Sequence, residues 1–275
     1  MTRLRLGAVE YLNARPLVFG LERSDRFDLR FDVPSRCAEL LHSNDIDVGL
    51  IPSIEYLRGV YHVAPDLAIA SRGDVASVAL YTTRPIGDVR SIAMDTSSRT
   101  SVALVRVLCG RAFRIKPVLE PRGPDLDAML ASCDAALLIG DNALFSAHNE
   151  IGPKGGLDRA FGGVDKIDLG NEWTKLTGLP FVWAFWAGRS DALTPKDVRA
   201  LQEARNAGIK EMPAISCTYF PASPERQAVA ARYLRDNIKY TLGADERAGL
   251  ELFYQYAAEA GIVEAVQPLR FFRQN

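Results

Sequence analysis

The sequence predicts an α/β fold in two lobes with helices at its C-terminal end, and three observations predict it. Short apolar runs alternate with amphipathic segments from Leu4 to Leu57. The same alternation restarts after Arg84-Pro85. Beyond the apolar run 181–187, the chain turns to helix-forming segments. A βαβα alternation folds as parallel strands with helices packed on the sheet faces.

Each element has its own signal. Leu4–Val9 reads as a strand, and Asn13-Ala14-Arg15-Pro16-Leu17 opens a helix with Asn13 as N-cap. Residues 29–33 form the next strand. Ser35 then caps a helix over 36–43, with Cys37, Leu40 and Leu41 on one face. Residues 48–51 are a short buried strand, and Pro52-Ser53 turns the chain into a helix through Ile54 and Leu57. Strands are expected over 67–71 and 75–83, joined at Arg72-Gly73-Asp74. The second series has strands at 91–94, 115–119 and 135–139, with helices inside 96–110, over 125–131 and over 141–148. Glycines and Pro153 mark 152–163 as a surface loop. A strand at 166–169 and a short helix at 172–176 follow. Residues 181–187 are wholly apolar, as in a sheet centre. Thr194-Pro195 and Ser223-Pro224 each pair an N-cap with a first-position proline. A helix over 245–260 carries Leu250, Phe253, Tyr254 and Ala257 at helical spacing and stops at Gly261.

Two α/β series in succession predict two lobes, residues 1–83 with 188–275, and residues 84–187. The strand 75–83 leads out of the first lobe and the strand 181–187 leads back. A cleft between lobes is a favoured ligand site. A single doubly wound domain is the alternative.

Composition narrows the function. With 275 residues, 48% of them apolar, and a formal charge of −1, the chain will collapse into a core and not stay disordered. That charge argues against a nucleic-acid binder, though a local basic pocket remains open. No apolar stretch is long enough to span a bilayer, and no apolar leader precedes the first strand, so neither membrane attachment nor secretion is expected. Cys37, Cys109, Cys133 and Cys217 are scattered, as suits reduced thiols in a cytoplasmic protein. His42, His62 and His148 are not at metal-ligand spacing, so no metal site is expected.

Phosphate-loop, dinucleotide, nucleophile-elbow and zinc-protease signatures are all absent, and no acid–base cluster stands out. The strongest local signal is Thr96-Ser97-Ser98-Arg99-Thr100-Ser101, after a strand and at a helix start. Free N–H groups and hydroxyls there suit a carboxylate or phosphate. Ser53 and Ile139-Gly140-Asp141 stand at equivalent strand-to-helix corners, which face the ligand crevice in open α/β sheets. Thr177-Gly178-Leu179 is a turn first and a cleft lining second. In Tyr11-Leu12-Asn13, Asn13 can both donate and accept, and Arg15 can clamp a carboxylate. Caps and solvated side chains explain the same residues without a ligand.

Five blocks together resemble the chorismate dehydratases of the futalosine menaquinone pathway. They are Val9-Glu10-Tyr11-Leu12-Asn13-Ala14-Arg15-Pro16-Leu17, the stretch 47–56 around Pro52-Ser53, Thr96 to Ser101, the stretch 138–144, and the stretch 173–186. The resemblance implies a periplasmic-binding-protein type II fold working as a cytoplasmic enzyme. It implies conversion of chorismate, a dianion, to 3-[(1-carboxyvinyl)oxy]benzoate and water, with no cofactor. By position, the family's active-site asparagine falls on Asn13 and its serine on Ser77. A homodimer is compatible with the sequence.

That chemistry asks little of side chains, because forming a benzene ring supplies the driving force. The expected roles are to hold the dianion in a reactive conformer and to stabilise developing charge. The base is expected to be the substrate's own enolpyruvyl carboxylate, with Asn13 and Ser77 on the reacting groups. The rivals are a small-anion solute-binding protein without chemistry and the related 1,4-dihydroxy-6-naphthoate synthase.

Overall fold

The structure is a computed structural model that describes residues 3–146 and 163–274. Two mixed sheets organise it. The first contains β1 (Leu4–Val9), β2 (Phe27–Asp32), β3 (Val48–Pro52), β4 (His62–Val63), β5 (Ile69–Ser71) and β11 (Phe181–Gly188), in the order β2-β1-β3-β11-β4 with β5 also on β11. The second runs β10-β6-β9-β7-β8, from β6 (Val78–Thr82), β7 (Ser91–Asp95), β8 (Val118–Arg122), β9 (Ala135–Ile139) and β10 (Asp165–Asp168).

The parallel pairs that the βα rhythm predicts are present, β1 with β2 and β3, and β7 with β8 and β9. β6, β10 and β11 pair antiparallel. The last point corrects the expected lobe limits at 83 and 187. β6 lies between β9 and β10 in the second sheet, and β11 lies beside β3 in the first. Each crossing strand begins the lobe it enters and does not end the lobe it leaves. All eight residues of β11 are buried, which only a central place in the larger sheet allows. The chain therefore crosses at 72–77 and returns at 178–180.

Helices cover the sheets. In the first lobe, α1 (Pro34–His42) packs on β1 and β3. In the second are α2 (Arg99–Leu108), α3 (Leu126–Ser132), α4 (Gly140–Leu144) and α5 (Leu169–Thr177). The tail is helical as expected, with α6 (Pro195–Lys210), α7 (Met212–Tyr219), α8 (Pro224–Asp236) and α9 (Ala244–Glu259). Thr194 and Ser223 cap α6 and α8 as their sequences predict. The α9 helix packs on both β11 and α2, so it touches both lobes.

Several local expectations shift for visible reasons. Asn13 is not a cap, because the segment Leu12–Val18 is a 3-10 helix with Tyr11 at the capping position and Pro16 inside. Ser35 is displaced from the cap of α1 by Pro34, which occupies the first turn after Val33. The strand expected at 115–119 falls later, at β8, because a π turn over Cys109–Phe113 extends α2 and Arg114 ends it at φ 56°. The short helix at 172–176 is longer, since Asp168 caps α5 from its start. α4 is shorter than expected, and His148 with nearly all of the predicted loop at 152–163 lies outside the described residues.

Candidate active site

Carboxyl ends of strands from both sheets meet around one cavity. Val9 closes β1, Pro52 closes β3, Ser98 follows β7, and Ile139-Gly140 ends β9; all of them line it. Ile69, Val75, Val78 and Trp183 add apolar walls, and Tyr11, Asn13, Ser77, Thr100 and Ser101 add polar groups. The cavity volume is about 50 Å³. Among the described residues that line it there is no carboxylate, imidazole, amine or guanidinium.

The α2 corner is built from its hydroxyls. Ser98 caps the helix by accepting from Ser101 N at 3.2 Å, and Ser98 Oγ donates to Ser101 Oγ at 2.8 Å. The helix N-terminus is thereby aimed into the cavity, where an anion is favoured. Behind it, Tyr11 Oη donates to Ser97 Oγ at 3.3 Å, and Ser97 Oγ donates to Asp95 Oδ1 at 2.6 Å. Burial pushes the Tyr11 phenol up to about 12, so it stays protonated. Burial also raises Asp95, against the opposing bonds from Ser97.

Ser77 and Asn13 both line the cavity. Ser77 sits at 1% exposure and accepts from Tyr233 Oη at 2.7 Å. Asn13 Oδ1 is buried with no hydrogen-bond partner among the described residues. The crossing that carries Ser77 is held by the second lobe. Asp168 accepts from Val75 N at 3.0 Å and Ala76 N at 2.6 Å while it caps α5. Ala76 takes a left-handed φ of 62° to make that turn.

The two lobes are also joined around the rim. Ile54 N donates to Thr100 Oγ1 at 3.2 Å, Ser35 N to Ser97 O at 3.1 Å, and Leu12 N to Asp141 Oδ1 at 3.2 Å.

Other predicted site residues lie elsewhere. Ser53 Oγ donates to Val182 O at 2.7 Å beneath the lining, so it supports the wall. Arg99 turns away to Glu39 at 2.8 Å and Glu55 at 3.5 Å. Thr96 is exposed. Arg15 stacks 4.1 Å over the Phe31 ring and bonds Glu10 O, in a groove outside the cavity that also holds Ser97 and Asp141. Thr177, Gly178 and Leu179 form the C-cap of α5 and the return crossing, away from the lining.

Comparison with known proteins now bears on these residues. A family model described as menaquinone biosynthesis matches residues 4–259. The chain belongs to that family. A chorismate dehydratase of Thermus thermophilus is 33% identical over 259 residues, which cover 90% of this chain and 93% of that one. Among solved structures, a protein of Archaeoglobus fulgidus is 17% identical with a TM-score of 0.70, covering 95% of this chain and 98% of that one. A Candida albicans protein described as having the generic periplasmic-binding-protein fold is 12% identical with a TM-score of 0.62, covering 97% and 92%. The alkanesulfonate-binding protein SsuA of Xanthomonas axonopodis pv. citri, bound to MOPS, is 16% identical with a TM-score of 0.63, covering 96% and 94%. These structural likenesses establish the fold, a two-lobed periplasmic-binding-protein-like α/β architecture.

Within this family member, the cavity brings together Tyr11, Asn13, Ser77, Ser98, Thr100, Ser101, Ile139 and Gly140 from the predicted set. Sequence reasoning missed Tyr233 and Trp183. Trp183 lies in an apolar run where an aromatic reads as core, and Tyr233 stands in a helix-forming stretch between Arg232 and Leu234 that carries no site signal. Only the contact of Tyr233 with Ser77 marks it out.

Proposed function

We propose that the protein is a chorismate dehydratase, a cytoplasmic lyase that converts chorismate to 3-[(1-carboxyvinyl)oxy]benzoate and water in menaquinone biosynthesis. The observation that carries this reading is the cavity lining, an amide and hydroxyls around a helix N-terminus with no side-chain base among the described residues. Such a site suits a dianion whose reaction supplies its own base and its own driving force. The named relative in Thermus thermophilus supports it.

The reaction is redox-neutral. The ring proton beside the ether oxygen passes to the substrate's enolpyruvyl carboxylate. The neighbouring C–O bond then breaks with its electron pair on oxygen. That oxygen takes up the transferred proton and leaves as water, and the ring becomes aromatic. Ser98, Thr100 and Ser101 at the start of α2 hold a substrate carboxylate. Asn13 and Ser77 hydrogen-bond the hydroxyl that leaves. Holding these groups in a reactive conformer is the protein's main contribution.

The test is to incubate purified protein with chorismate and follow loss of the diene and appearance of the aromatic product. Conversion is expected, and Asn13→Ala should slow it about 100-fold, roughly 3 kcal/mol of transition-state stabilisation. Binding without conversion would instead make it a solute-binding protein, as the alkanesulfonate-binding SsuA is. Neither binding nor conversion would end the proposal.

A further inference from the structure

Tyr233 stands on α8 behind the cavity. It is 2% exposed, and its Oη donates to Ser77 Oγ at 2.7 Å. The Asn13 side chain lies beside the same hydroxyl. Asn13 Oδ1 is buried with no partner among the described residues, and Asn13 lines the cavity. Ser77 has one hydroxyl proton, and it accepts where Tyr233 donates. Its own proton must go elsewhere, and the cavity lies in front of it.

We propose that Tyr233 is a positioning residue that sets the direction of the Ser77 hydroxyl through its 2.7 Å bond to Ser77 Oγ. The cavity then meets its ligand with an acceptor at Asn13 Oδ1 and a donor at Ser77 Oγ. This role rests on the dehydration proposed above and extends it. A departing hydroxyl needs both groups, an acceptor for its own proton and a donor to its oxygen as the C–O bond lengthens. Ser77 keeps its proton throughout and supplies a hydrogen bond only. Burial holds the Tyr233 phenol well above its ordinary pKa, so it keeps its proton across the working pH range. Without the Tyr233 hydroxyl, Ser77 is free to turn its proton away from the cavity.

The test is a double-mutant cycle on chorismate turnover with Tyr233→Phe, Ser77→Ala and the pair. Tyr233→Phe keeps the ring, and it should lower kcat at least tenfold with KM within twofold. On the Ser77→Ala background, the same change should cost less than twofold, because the group it orients is gone. Equal losses on both backgrounds, or an undiminished kcat in Tyr233→Phe, would overturn the role while leaving the reaction standing. No turnover by the unaltered protein would overturn the reaction and the role with it. Circular dichroism checks that the variants are folded. Should Tyr233→Phe not fold, 3-fluorotyrosine placed at 233 keeps the hydroxyl and makes it a stronger donor. Its kcat should stay within threefold of the unaltered protein, and a larger loss would overturn the role.

Discussion

Tyr219, the last residue of α7, donates a 2.5 Å hydrogen bond to Asp141 Oδ2. The other Asp141 oxygen accepts from Leu12 N at 3.2 Å. One carboxylate of the second lobe thus ties down both the C-terminal helices and the segment carrying Asn13. Burial pushes its pKa up, and the bonds from Tyr219 and Leu12 oppose that rise.

Tyr219→Phe should therefore weaken the closed arrangement. It leaves a buried carboxylate oxygen without its donor, at a cost of about 1–3 kcal/mol. If only the closed form grips the substrate, KM for chorismate rises about tenfold while kcat changes less than threefold. Steady-state kinetics checks this, and an unchanged KM would sink it.

Gly140→Ala should destabilise the protein and its site together. Gly140 adopts φ 61°, and a Cβ there would lie 2.7 Å from the Tyr11 ring. Left-handed strain costs about 1–2 kcal/mol, and the Tyr11 ring must move as well. The expected fall in melting temperature is roughly 5–10 °C for a chain of this size, with loss of chorismate turnover. A variant that melts and turns over like the parent would contradict this account of the corner.

Glu55 makes stability depend on pH. Its side chain is 3% exposed, with His42 Nε2 at 2.8 Å and Arg99 and Arg58 each at 3.5 Å. Burial pushes its pKa up, but the His42 bond and the two guanidinium groups outweigh burial and hold it below 4.5. A depressed carboxylate contributes stability above the unfolded value and loses it as pH falls through the folded one. Glu55→Gln should thus melt lower than the parent at neutral pH, by about 1–3 kcal/mol. The gap should close as pH drops below 4.5, where the parent's Glu55 takes up its proton. Melting curves over that range decide it, and a gap independent of pH would refute it.

Asp168→Ala should disturb the crossing that presents Ser77. Four backbone donors, Val75 N, Ala76 N, Gly170 N and Asn171 N, lose their acceptor. The loss is about 3 kcal/mol, and kcat should fall because Ser77 is no longer held. Asp168→Asn keeps one acceptor oxygen, so it should retain more of both. Thermal melts and turnover of the two variants test the order.

Much of this architecture was legible in the chain. Leu4–Val9 and Ala135–Ile139 are strands to the residue, since each apolar run has polar neighbours that stop it. Thr194 and Ser223 were readable as caps because proline follows each one. The hydroxyl corner Ser98–Ser101 was readable for a similar reason, a helix start with local partners. What escaped depends on contacts distant in sequence. Sheet membership of β6 and β11 is decided by pairing partners far along the chain. Arg15 and Arg99 sit within site-like motifs, yet the Phe31 ring and the carboxylates of Glu39 and Glu55 draw them away from the cavity. Tyr233 matters only because α8 returns to Ser77 from 156 positions away.

Ser71 and Phe181 are Cα partners where β5 meets β11. The chain thus leaves the first sheet and rejoins it at adjacent points, about 5 Å apart in an antiparallel pair. The stretch between them is a cassette inserted at a single seam. A short turn would bridge Ser71 to Phe181, so the host sheet can close without its guest. Exchanging that guest for another of the same span leaves the host's wiring intact, which gives this architecture a simple route from one ligand to the next.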